Sequence, residues 1–212
     1  MNRPVLLGIA GFALVAAVGF WLIPGGGNDW PIKNDRPAGD VLVALGDSLT
    51  YGQGAGLNES YPEHLAELVG RPVINEGVNG NTTADALRRI KSITAKKPAI
   101  VFITLGGNDI LRRLPVETTR DNLQQIFRKL HATGAMVVYG AVNPPLISGK
   151  RTKAIKELCR KEGVLYIESI MQGLWNDTEL MSDTIHPNGD GYRILAERFH
   201  TRIAGHYSHV SE

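Results

Sequence analysis

Asp40-Val41-Leu42-Val43-Ala44-Leu45-Gly46-Asp47-Ser48-Leu49-Thr50 is the stretch on which the fold turns. Its first half is a short apolar run with little alternation, bounded by a glycine. That pattern reads as a β-strand covered on both faces. Its second half is a polar turn that leaves a serine at the strand's carboxyl end. Four more runs of the same kind come later in the chain: Pro72–Asn75, Ala99–Leu105, Ala135–Ala141 and Val164–Ile167.

The segments between these runs carry a helical period. Leu123, Ile126, Phe127 and Leu130 are spaced by three and four, as are Tyr192, Leu195, Ala196, Phe199 and Ile203 behind the breaker Pro187. Glu59–Leu68, Thr82–Ile93 and the face formed by Ile155, Leu158 and Cys159 complete the helical set. Strands alternating with helices predict an α/β fold with a parallel sheet. Right-handed crossovers make a flavodoxin-like three-layer sandwich, five strands in the order 2-1-3-4-5, the simplest arrangement. No internal repeat is visible.

In open α/β sheets the chemistry gathers at the carboxyl ends of the strands, and Ser48 stands there. A serine after Gly-Asp also serves as an ordinary helix cap. As a nucleophile it needs a base at hydrogen-bond distance. Asp183-Thr184-Ile185-His186-Pro187 offers one, because the imidazole of His186 can take the Ser48 proton. Asp183, three residues back, can fix the ring's tautomer. A capping Asp183 beside a solvated His186 is the plainer alternative. Gly80, in the turn after the second run, either meets a positive φ or lets a backbone N–H approach a substrate carbonyl. Asn108, in Gly106-Gly107-Asn108-Asp109, is either a turn residue or an amide donor to a developing oxyanion. Asp47 and Asp109 read as carboxylates that brace their own loops. Together these groups point to acyl transfer.

Lys plus Arg, 23, and Asp plus Glu, 21, nearly cancel across 212 residues, so no nucleic-acid-binding field is implied. The single Cys159 excludes an intrachain disulfide and reads as a packing thiol. His64, His131, His200, His206 and His209 have no ligand spacing and read as surface residues; no metal site is expected.

Val5–Ile23 holds no charge over 19 positions, close to the ~20 of a spanning helix. Arg3 before it favours a cytoplasmic N-terminus and export of the downstream chain. The segment reads as an uncleaved anchor, with the domain on the periplasmic side of a bacterial inner membrane. A cleaved signal peptide, leaving a soluble periplasmic protein, is the other reading, since Gly25, Gly26 and Gly27 come directly after the run. Residues 24–39 then form a linker expected to be extended and solvated. The folded domain is expected over residues 40–207.

Gly46-Asp47-Ser48-Leu49, Gly80, Gly106-Gly107-Asn108-Asp109 and Asp183-Thr184-Ile185-His186 resemble, in order, the four blocks of the SGNH hydrolase (GDSL esterase/lipase) family, and in particular its bacterial thioesterase I, lysophospholipase and arylesterase group. The resemblance spans about residues 40–205. It implies Ser48 as nucleophile, His186 as general base and Asp183 as its partner, with Ser48, Gly80 and Asn108 forming the oxyanion hole and no cofactor. Thr50 replaces the second glycine of a Gly-x-Ser-x-Gly elbow, which sets the chain apart from α/β-hydrolases. The expected substrate is an acyl ester or thioester. Carbohydrate O-acetyl esterase or acetyltransferase activity on the cell envelope, or a non-catalytic binding module, are the rivals. Leu111, Pro145, Leu146 and Ile147, in loops after the third and fourth runs, are expected to line an apolar acyl groove, unless they pack beneath their own loops. Arg112, Arg113, Lys150, Arg151 and Lys153 read as a solvated basic face.

Overall fold

Residues 28–144 and 149–207 are described by the structure, a computed structural model. Val5–Ile23, and with it the anchor or signal segment, lies outside the described residues. Five strands, β1 (Leu42–Gly46), β2 (Val73–Gly77), β3 (Ile100–Thr104), β4 (Met136–Gly140) and β5 (Leu165–Ile167), form one parallel sheet in the order β2-β1-β3-β4-β5. The helices are α1 (Ser48–Tyr51), α2 (Tyr61–Val69), α3 (Thr83–Arg88), α4 (Ile90–Thr94), α5 (Gly107–Leu111), α6 (Val116–His131), α7 (Gly149–Glu162) and α8 (Gly189–Tyr207). The expected sheet and strand order are therefore those observed.

Successive strand residues point to opposite faces, and in β1, β3 and β4 both faces are apolar and buried. Val43, Leu45, Val101, Ile103 and Val137 pack on one side with Leu123, Ile126, Phe127 and Leu158 of α6 and α7. Leu42, Ala44, Phe102 and Val138 pack on the other with Tyr61, Leu65, Tyr192 and Phe199 of α2 and α8. The ring of Phe199 meets Phe102 edge-on at 5.3 Å and lies 5.2 Å from Tyr61, which locks α8 onto the sheet. Cys159 is fully buried in the first of these layers, and burial pushes its thiol pKa well up, as a packing thiol requires.

Three expectations are corrected. The helix expected over Thr82–Ile93 breaks at Arg89, whose guanidinium turns inward to the carbonyls of Gly46 and Glu76 at 3.0 and 2.8 Å. Residues 28–39, expected to be extended and solvated, are docked on the domain. Trp30 Nε1 donates to Val164 O, Lys33 N to Gly163 O, and Asn34 Nδ2 to the carbonyls of His131 and Ala135. The carbonyls of Ala135, Gly163 and Val164 directly precede β4 and β5 and lack strand partners, so the segment satisfies groups that water would otherwise have to reach, while His131 O also accepts from Gly134 N. Finally, His64 and His131 are not surface residues but 4% exposed, each packed under its helix. His200 and His206 are half-buried, and His209 lies outside the described residues.

Candidate active site

The turn after β1 is set by close backbone approaches. A Cβ on Gly46 would lie 1.9 Å from Thr50 Oγ1 and 2.7 Å from Thr104 O. One on Gly77 would lie 2.1 Å from Tyr51 N. Only glycine lets α1 fold back this tightly over the ends of β1 and β2. Thr50 Oγ1 then bonds Thr104 Oγ1 at 2.6 Å and Tyr61 Oη at 3.0 Å, pinning α1 to β3 and α2. Asp47 caps α1 by accepting from Leu49 N at 3.1 Å. Ser48 is thereby held at the first position of α1, half-exposed, at the carboxyl edge of the sheet.

Asp183 and His186 arrive from the loop before α8. Asp183 Oδ1 accepts the N–H groups of Ile185 and His186 at 2.7 and 2.8 Å, which folds one tight turn of chain. Its Oδ2 lies 2.7 Å from His186 Nδ1, and His186 Nε2 lies 3.0 Å from Ser48 Oγ. With Nδ1–H donating to Asp183, Nε2 is left to accept from the serine. Partial burial raises the Asp183 pKa, but the bonds from the His186 ring and the two N–H groups outweigh it and hold the carboxyl below its usual value. Carboxylate, imidazole and hydroxyl thus form one continuous chain of hydrogen bonds.

Gly80 and Asn108 stand in the turns after β2 and β3, the strands on either side of β1. Gly80 has φ +75°, a conformation that favours glycine, and its carbonyl accepts from Arg112 at 2.9 Å. Among the described residues no backbone acceptor meets the Ser48 or Gly80 N–H. Asn108, in the first turn of α5, donates its amide to Asn81 O at 3.1 Å and Asp47 Oδ2 at 3.3 Å. Asp47 is 2% exposed, and burial pushes its carboxyl up to about 7 against the pull of its bonds to Leu49 and Asn108. Asp47 braces its own loop, as expected. Asp109 does not: it is fully buried and accepts from Thr83 N, Thr83 Oγ1 and Thr119 Oγ1 at 2.9, 2.6 and 3.1 Å. It joins α3, α5 and α6, elements far apart in sequence.

Leu111 stands at the end of α5, 62% exposed. Pro145, Leu146 and Ile147 lie outside the described residues. Sequence reasoning missed Arg89, which also bonds Asn81 Oδ1 at 2.9 Å and so anchors the loop that Asn108 contacts. In sequence it looks like one more charge on a solvated helix face, and nothing local marks it. The capping box Thr82-x-x-Asp85, which opens α3 behind Gly80, was readable.

The chain is 28% identical over 172 residues to an arylesterase of Vibrio mimicus, covering 76% of this chain and 86% of that one. It is 27% identical over 169 residues to the thioesterase 1/protease 1/lysophospholipase L1 of Escherichia coli K12, covering 76% and 81%. The crystal structure of TesA superposes with a TM-score of 0.73 at 25% identity, over 78% of this chain and 99% of that one. A model of the GDSL-like lipase/acylhydrolase family matches residues 44–194, from β1 into α8, and the chain belongs to that family.

Proposed function

We propose that this family member is a serine esterase in which Ser48, His186 and Asp183 act as nucleophile, general base and orienting carboxylate. The observation that carries this reading is the hydrogen-bond chain from Asp183 through His186 to Ser48, at 2.7 and 3.0 Å. Ser48 Oγ attacks the carbonyl carbon of an acyl ester or thioester as its proton passes to His186 Nε2. The oxyanion that forms is met by the N–H groups of Ser48 and Gly80, which have no competing backbone acceptor among the described residues. Asn108 joins them as its 3.3 Å bond to Asp47, the longer of its two, yields. The imidazolium then protonates the leaving alcohol or thiol, and water repeats the sequence on the acyl-enzyme.

The uncharged Val5–Ile23 supports an exported enzyme held at the periplasmic face of a membrane. The test of the chemistry is hydrolysis of p-nitrophenyl esters, from acetate to palmitate, by the purified full chain beside Ser48→Ala. Turnover should fall by ~10³-fold or more in the variant. A profile peaking at medium or long chains would support a lipid-directed esterase. Turnover confined to acetate would move the reading to an O-acetyl esterase. Equal turnover by Ser48→Ala would refute the proposed nucleophile.

A further inference from the structure

Seven large apolar side chains are exposed among the described residues, and they are not scattered. Five of them, Tyr51, Leu57, Val78, Leu111 and Ile185, stand in segments that carry or adjoin the site. Tyr51 ends α1, three residues after Ser48; Val78 is two before Gly80; Leu111 is three after Asn108; Ile185 adjoins His186. Leu57, 92% exposed, tips the loop after α1. That loop is tied to the Gly80 turn by Asn79 Nδ2 donating to Gln53 Oε1 at 2.9 Å. Its Gly54 lies against Ser182, beside the Asp183–His186 turn. The remaining two, Leu68 and Ile74, sit at the end of α2 and on the free edge of β2. Exposed apolar side chains are thus concentrated in the segments around the site, and Arg112 and Arg113 stand exposed at its α5 side. A rim of this kind around a functional opening marks an interaction face.

The geometry points to a phospholipid surface as what covers this rim, so that the acyl esters hydrolysed are amphiphiles held at that surface. This rests on the esterase reading and on the membrane-anchor reading of Val5–Ile23 above. Two observations choose the lipid surface. First, the chain before the domain ends close by. Asn28 is fixed at the free edge of β5, where its Oδ1 accepts from Tyr166 N. The register Tyr166–Tyr139–Ile103–Leu45 puts that point level with the third residue before Ser48 and about four strand spacings from β1, roughly 19 Å. Between it and the apolar Val5–Ile23 lie only Pro24–Gly27, a reach of about 17 Å. A domain tethered so closely can lay its carboxyl edge on the bilayer that the apolar segment enters. Second, the rim's composition fits: apolar and aromatic side chains for the acyl boundary, with exposed Arg113, and the donors of Arg112 not used on Gly80 O, for phosphate headgroups.

The test uses the full chain reconstituted in vesicles of phosphatidylcholine and phosphatidylglycerol. Turnover is measured on a vesicle-held long-chain ester and on soluble p-nitrophenyl acetate, for the natural chain and for Leu57→Ser combined with Tyr51→Ser. The double variant should keep turnover on the soluble ester within about twofold and lose at least tenfold on the vesicle-held one. Equal activity of the two proteins on both substrates would overturn the proposal. So would a changed sedimentation mass of the detergent-solubilised variant with vesicle turnover intact, since the rim would then cover a second copy of the chain. Absence of Ser48-dependent turnover on either ester would instead refute the esterase reading beneath it.

Discussion

Asp47 is placed between two N–H donors, Leu49 N on one oxygen and Asn108 Nδ2 on the other. Above its pKa of about 7 the ionised carboxylate can accept both bonds; an asparagine can accept only one, and its own NH₂ would face the Asn108 amide. Asp47→Asn should therefore misalign Asn108 with little effect on the hydrogen bond between Ser48 and His186. The expected result is a fall of about tenfold or more in kcat with KM nearly unchanged, smaller than the ~100–1000-fold that outright loss of an oxyanion donor brings. Steady-state kinetics on one p-nitrophenyl ester decides it. A drop confined to KM would place Asp47 in ground-state binding and remove it from the positioning of Asn108. At this scale the sequence was informative wherever a residue acts through its neighbours. Asp183 and His186, three apart, meet through a single turn. It was uninformative for Asp109, whose bonds to Thr83 and Thr119 span 26 and 10 residues.

The elements that carry the site were legible for a similar reason. The central strands β1, β3 and β4 are runs of apolar residues that both helical layers cover, the edge strand β2 is only half-buried, and each core-facing helix has its apolar period. What escaped were α1 and α5, of four and five residues, too short for a period to register. The break at Arg89 escaped too, because an inward guanidinium has the same spacing as an outward one. Docking of residues 28–39 escaped because its bonds go to backbone groups, which leave no trace in composition. The shortest helix, α1, is also tightly constrained. Gly77 has Tyr51 N where a Cβ would be, 2.1 Å away, and backbone cannot step aside as a side chain can. Gly77→Ala should push α1 off β2, costing about 1–3 kcal/mol of stability as overpacking does and lowering kcat because Ser48 moves with α1. Urea unfolding with an unchanged slope and a lower midpoint would bear this out. An alanine variant of full stability and activity would show that α1 adapts.

Across the whole molecule two buried groups pull stability in opposite directions with pH. His131 is 4% exposed with neither ring nitrogen partnered among the described residues. Burial first, and then the charge of Lys33, lower its pKa from 6.5 to about 4, with Glu162 opposing. Between those values the unfolded chain binds the proton and the folded chain does not, so stability falls as pH drops from about 6.5 to 4. Asp47 does the reverse. Its carboxyl rises from 3.8 to about 7, so between those values the folded chain holds the proton that the unfolded chain releases, and stability falls as pH rises. The windows overlap from about pH 4 to 6.5, where the two slopes offset each other and the natural chain should show a shallow profile from this pair. Removing one member exposes the other. Asp47→Asn should lose Tm steadily as pH falls from 6.5 to 4, while His131→Gln should lose Tm as pH rises from 4 to 7. Thermal unfolding of the three proteins at half-unit pH steps tests the pair together. Parallel profiles for the natural chain and both variants would mean that neither group changes its protonation on folding, and that other carboxylates, Asp85, Glu162 and Asp183 among them, set the acid limit of the fold.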